Sequence, residues 1–333
     1  MKIRKQIVLL ILIFLAVIVF IIAPFWGIES LSLKSIFQLD DQVKSDILWK
    51  IRLPRVIAAF LAGAALAISG MTFQAMFRNP LATPFTLGVS SGAAFGAAIY
   101  IKLGVIFSIL GVSGQSLSAF IGAILSVLLV YGISQIKKGF TTATMLIAGV
   151  AINFFFSSLI LFIQYLSDFA NSFRIIRWLM GGFEIVGFRP VFTLLPFVLF
   201  GSAVLFLLTH ELNLFTLGED IALSRGMDVK KIKALLFFAT SLMIGGIVSV
   251  CGPIGFIGMM APHICRLLIG AEHRLLTPAS FVFGGAFLVF CDTLSRTLIA
   301  PAEIPVGVIT ALLGGPFFLW LLLSGSSDKS TLS

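Results

Sequence analysis

The chemistry open to this chain is limited by how few ionisable groups it has and where they fall. Among 333 residues there are 14 Asp and Glu, three His and three Cys. Cys251, Cys265 and Cys291 lie in apolar stretches at no metal-ligand spacing and read as small packing residues. His263 and Arg266, in "CGPIGFIGMMAPHICRLLIG" (251–270), suggest a proton relay, but no carboxylate accompanies them along the chain; a positioned polar group is the simpler reading. Asp292 stands four residues before Arg296, where a helix pairs opposite charges locally. An ion-coupled carrier would need a carboxylate near the middle of an apolar run, and none stands out. The phosphate cradle G-x-x-x-x-G-K-[ST] is missing, so the sequence holds no nucleotide site of its own. Two charged segments remain. One is "ILWKIRLPRVI" (47–57), with Arg52 and Arg55 against the start of an apolar run; the other is "HELNLFTLGEDIALSRGMDVKKIK" (210–233).

These segments sit in a chain built for lipid. Apolar side chains make up 59% of it and charged ones 11%, where a soluble domain carries about 25% charged residues. A net charge of +9 in such a context suits basic loops facing anionic lipid better than nucleic acid. The opening "MKIRKQIVLLILIFLAVIVFIIAPFW" has an apolar core too long for a signal peptide and no A-x-A cleavage site; it reads as a retained first membrane helix. Apolar runs predict ten spans, near 6–26, 54–77, 86–104, 113–135, 142–166, 191–209, 233–251, 256–270, 276–298 and 305–324. Residues 168–189, broken by charge and glycine, read as a re-entrant or interfacial helix. With the N-terminus inside, ten spans put the C-terminal tail (325–333) inside too, and most of the 23 cations then lie on the inner side. On that topology Arg52 and Arg55 face outward, against the charge bias, where lipid headgroups offer one explanation.

Small residues at fourfold spacing (Ala59, Gly63, Ala67; Gly88, Gly92, Gly96) predict closely approaching helices. A faint echo at an offset of 182 matches Gly63, Gly70, Pro80 and Gly88 with Gly245, Gly252, Pro262 and Gly270, a possible inverted repeat. The pattern of 210–233 suits two short helices, the first started by Glu219 and Asp220 and capped at its C-terminus by Gly226, as the largest inner connection, with the character of a docking surface. Gly252, Gly255 and Gly258 around Pro253 predict a helix break near the outer surface.

The stretch "IRLPRVIAAFLAGAALAISGMTFQAMFRNPLATPFTLGVSSGAAFG" (51–96) closely resembles the opening signature of FecCD-type permeases. These are the membrane subunits of binding-protein-dependent ABC importers for iron–siderophores, haem and cobalamin. "LGEDIALSRGM" (217–227), "GPIGFIGMMAPHICR" (252–266), "HRLLTPAS" (273–280) and "EIPVGVITALLGGPFFLWLL" (303–322) resemble the later signatures in the same order. The resemblance implies an all-α type II ABC importer permease, one transmembrane domain over 1–333, in a cell membrane with both termini cytoplasmic. It implies a dimer with a second copy or a paralogue, the pathway between them, and no catalytic residue, metal or cofactor. The partners implied are cytoplasmic ABC ATPase subunits, which hydrolyse the ATP, and an extracytoplasmic substrate-binding protein. Gly218, Glu219, Ala222, Arg225 and Gly226 stand at the motif positions of the ATPase coupling loop. Thr142 and Ala143 fall at the cytoplasmic gate of the cobalamin permease, with Ala143 replacing a hydroxyl residue. Arg52, Arg55 and Arg296 stand where the family presents cations to glutamates of the binding protein, a role suited to bidentate guanidinium–carboxylate pairing. The reading is an iron–siderophore permease, with haem or cobalamin as alternatives and an ion-coupled carrier or intramembrane enzyme as contrasting classes.

Overall fold

The structure, a computed structural model, describes residues 2–27, 42–83, 85–109, 111–136 and 141–324. The C-terminal tail 325–333 and the basic pair Lys137 and Lys138 lie outside the described residues. The helices are α1 (Lys2–Ile22), α2 (Gln42–Phe77), α3 (Val89–Leu103), α4 (Gly114–Ile136), α5 (Thr142–Tyr165), α6 (Phe169–Leu179) and α7 (Arg189–Leu207). They continue as α8 (Thr209–Leu217), α9 (Glu219–Ser224), α10 (Val229–Cys251), α11 (Ile257–Ile269), α12 (His273–Thr297) and α13 (Val306–Ser324). A two-residue hairpin, Ser108–Ile109 with Val112–Ser113, joins α3 to α4.

Seven of these helices (α1, α2, α4, α5, α7, α10 and α12) are long and apolar enough to cross a membrane, and α3, α11 and α13 are shorter apolar helices. Together they occupy all ten expected spans. Burial divides them into layers. α2 and α10 are enclosed over most of their length, while α1 and α5 present mostly exposed apolar side chains, Leu10, Phe14, Phe154 and Leu161 among them. In a multi-pass membrane protein such a surface meets acyl chains or another membrane subunit.

The small residues set the helix separations. A Cβ on Gly63 would lie 2.3 Å from the backbone oxygen of Gly284 on α12, and one on Gly70 only 1.7 Å from that of Gly258 on α11. Gly92 approaches Gly122 of α4 in the same way. The fourfold spacing therefore marks real backbone-to-backbone contacts of α2 and α3. The echo positions take different local roles: Gly70 lies within α2 but Gly252 ends α10, and Gly88 precedes α3 whereas Gly270 follows α11.

The boundary that differs most from the sequence reading is the start of the second span. The second span begins at Gln42, not 54, because the chain is already helical before Pro54, passing through a π-helical stretch Ile47–Arg52. Pro54 has no N–H to give the carbonyl of Lys50. The wider turn lets Leu53 N–H reach Leu48 instead, and the Lys50 carbonyl accepts from Gly187 N–H at 2.6 Å. The break at 168–189 resolves into α6, capped by Asp168, and an extended stretch that threads beside the end of α10. There Gly182 N–H donates to Cys251 O, and Gly181 (φ 66) leaves no room for a side chain against Pro253 O. The expected break after α10 is also present: Gly252 has φ 68 and α11 starts at Ile257.

Candidate functional site

Two polar clusters lie at opposite ends of the central helices. The first surrounds α9. Gly218 (φ 121) separates α8 from α9, and Glu219 and Asp220 occupy the first turn, where the helix dipole favours acids. The other end is a Schellman cap: Gly226 (φ 82) donates to Leu223 O at 2.9 Å, and Met227 N–H to Ala222 O at 3.1 Å. Ala222 is fully buried, anchoring the short helix, while Arg225 is exposed. Asp228 caps α10; its bonds to Lys231 hold its carboxyl below the usual carboxylate range.

The residues that the resemblance assigns to coupling and to the gate meet here. Lys233, 1% exposed, donates from Nζ to Glu219 Oε1 at 2.8 Å and to Thr142 Oγ1 at 3.0 Å. The Thr142 hydroxyl in turn donates to Glu219 Oε1 at 3.0 Å. Ala143, beside it, is exposed. The Asn213 side-chain oxygen on α8 accepts from the backbone N–H of His273, starting α12, and lies 2.9 Å from its ring Nδ1. Nearby, Arg266 donates to Gln74 at 3.1 Å, which gives this half of the relay candidate a structural partner; His263 packs edge-on to Phe317 and Phe318.

The second cluster holds the three arginines, and all three are buried. Arg55 Nε lies 2.9 Å from Asp292, Arg296 Nε lies 3.2 Å from the same carboxylate, and Arg55 Nη1 is 2.8 Å from Glu303. Asp292 is fully buried, whereas Glu303 is half-exposed. Arg296 also donates to Ala23 O, and Arg52 to Pro24 O and Phe25 O. Arg52 and Arg296 therefore converge on residues 23–25, at the end of α1, and Asp292 ties Arg55 to Arg296. The local Asp292–Arg296 pair was readable at its i,i+4 spacing; its partner Arg55, 237 residues away, was not.

Beside Arg55 opens a polar cavity of about 430 Å³, lined also by Arg174, Arg177, Glu184, Glu303 and Trp178. Arg177 pairs with Glu184 at 2.6 Å. A second groove of about 560 Å³, between α3, α5 and α13, is lined by Ser90, Ser91, Asn153 and Ser157 among apolar neighbours. The resemblance had pointed to neither.

The FecCD transport family matches residues 11–324. A hemin transport system permease, HmuU of Yersinia pestis, is 36% identical and covers 99% of both chains. A cobalamin import system permease, BtuC of Halobacterium salinarum, is 43% identical over 83% of this chain and 73% of its own. A solved inward-facing structure of a putative metal-chelate type ABC transporter superposes with a TM-score of 0.86 at 32% identity, covering 96% of this chain and 99% of that one. With a match that runs from within α1 to the last residue of α13, this chain belongs to the FecCD transport family of ABC importer permeases.

Proposed function

We propose that the chain is the membrane subunit of an importer for an anionic iron chelate, an iron–siderophore, powered by ABC ATPase subunits that bind at α9. The observation that carries the substrate reading is the cavity beside Arg55. Three guanidiniums and two carboxylates line it, an excess of positive charge suited to carboxylate or catecholate edges of a ferric chelate. At about 430 Å³ it would receive one edge of such a molecule. Haem, with its propionates, is the second reading that this charge favours; the hemin permease relative supports it as well. Cobalamin gains less from these arginines.

In this reading a loaded binding protein docks over Arg52, Arg55 and Arg296, and Glu303 marks the spot a docking carboxylate would take on Arg55. Two copies, or a copy and a paralogue, would enclose the path, with the serine-lined groove of α3, α5 and α13 facing it. ATP closure of the ATPase pair would move Gly218–Gly226 and open or close the gate at Thr142 and Ala143. The docking end would face outward and α9 would face the cytoplasm, with both termini.

Deleting the gene in its host and measuring uptake of iron-55 from a panel of siderophores, of haem and of radiolabelled cobalamin tests the substrate. Loss of one siderophore's uptake alone is expected. Loss of haem or cobalamin uptake with every siderophore intact would overturn the siderophore reading.

A further inference from the structure

We infer that Lys233 is a positioning residue that latches α9 to the start of α5, so that the ATPase-facing helix and the gate move as one body; this rests on the importer reading above. Three elements meet at one point: α9 through Glu219, α5 through Thr142 and α10 through Lys233. The Lys233–Glu219 bond is 2.8 Å, and the two bonds of Thr142 are each 3.0 Å. The bonds have a consistent direction. Lys233 can only donate, the carboxylate only accept, and the threonine hydroxyl accepts from one while donating to the other.

Burial makes the arrangement a latch. Lys233 is 1% exposed, and its carbon stem lies on the buried face of α10 with Val229, Phe237 and Thr240. Pulling α9 away from α10 would strip the Glu219 carboxylate from an ammonium that water reaches poorly, a costly step, and pulling it from α5 would break the Thr142 bond to the same oxygen. Charge-assisted bonds of this length also fix orientation. A displacement of α9 is therefore passed to Thr142, and with it to Ala143, the exposed first-turn residue beside it. α8 is held separately, through Asn213 and His273 at the start of α12, so the movable unit is α9 with the starts of α5 and α10, against α8 with α12.

The test uses the permease assembled with its ATPase subunits. Spin labels at Ser224→Cys on α9 and Ile147→Cys on α5 report the distance between the two helices; both positions are exposed, and Cys251, Cys265 and Cys291 are buried. In the native background and in Lys233→Arg, the distance distribution should be the same without nucleotide and with ATP plus vanadate. Lys233→Met should let it shift on trapping. Thr142→Val, which leaves the Lys233–Glu219 pair in place, should shift too and guards against a folding defect in the lysine variant. A native distance that shifts as much as that of the variants overturns the latch alone. If no ATPase subunit assembles with the chain, the importer reading itself falls, and the latch with it.

Discussion

Replacing Asp292 with Asn should destabilise the protein far more than replacing Glu303 with Gln, although both carboxylates pair with Arg55. At an effective dielectric of about 20, charges at 2.9 and 3.2 Å attract by roughly 5–6 kcal/mol each. Desolvating a carboxylate with no exposed surface offsets several kcal/mol of that, so the assembled pair adds little net stability. Breaking it is a different matter. An amide in place of the Asp292 carboxylate would leave Arg55 and Arg296, both buried, facing each other without their shared counter-charge, a loss of about 3–5 kcal/mol. Glu303 is half-exposed, and such a pair is worth about 0–1 kcal/mol. A loss of about 3–5 kcal/mol lowers an apparent melting temperature by on the order of 10 °C. Thermal inactivation of detergent-purified variants, followed by size-exclusion recovery, reads this directly. A second substitution, Arg296→Leu on Asp292→Asn, removes one stranded cation and should recover part of the loss. An Asp292→Asn protein that melts with the Glu303→Gln protein would refute the claim that this carboxylate holds the two arginines.

Gly70→Val should abolish folded yield, since even a Cβ would lie 1.7 Å from the Gly258 backbone oxygen; Gly132→Ala, with nothing within 4 Å, should stay within about 1 kcal/mol of native in the same assay. Gly226→Val forces a β-branched residue to φ 82, so ATP-driven uptake should fall more than membrane insertion, measured by uptake and by immunoblot of the membrane fraction. Equal losses would point to a folding role only. Glu303→Gln frees the outer side of Arg55 and should tighten docking of the binding protein, read as a lower Kd on immobilised vesicles; a weaker Kd would argue against competition for that arginine.

The helices were legible because span length and small-residue spacing are local properties. The short helix from Glu219 to its Gly226 cap and the break at Gly252 are likewise set by nearby residues; α8, before Gly218, was not foreseen, and after Gly226 the chain enters the long α10 rather than a second short helix. Contacts across the bundle were not legible. Asp292 reads as a local partner of Arg296, and nothing in the spacing brings Arg55 to it from α2. Lys233 reads as one more inner-side cation when the seventh span is started at 233. Begun at Val229, the helix puts Lys233 on a buried stripe with Leu236, Phe237 and Thr240, and a lysine there demands a carboxylate. The early start of α2 was hidden by Pro54, whose usual place is a helix beginning; Gly187 satisfies the carbonyl that it leaves unpaired.

The central claim is that α9 is where an ABC ATPase grips this permease. Tagged chain purified from its native membrane, beside a variant lacking residues 217–227, tests it by quantitative mass spectrometry of the co-purified subunits. The account predicts an ATPase subunit in equal amount with the native chain, absent from the deletion variant although that variant still inserts. A native chain that captures no ATPase, or a deletion variant that keeps both the ATPase and uptake, would contradict it.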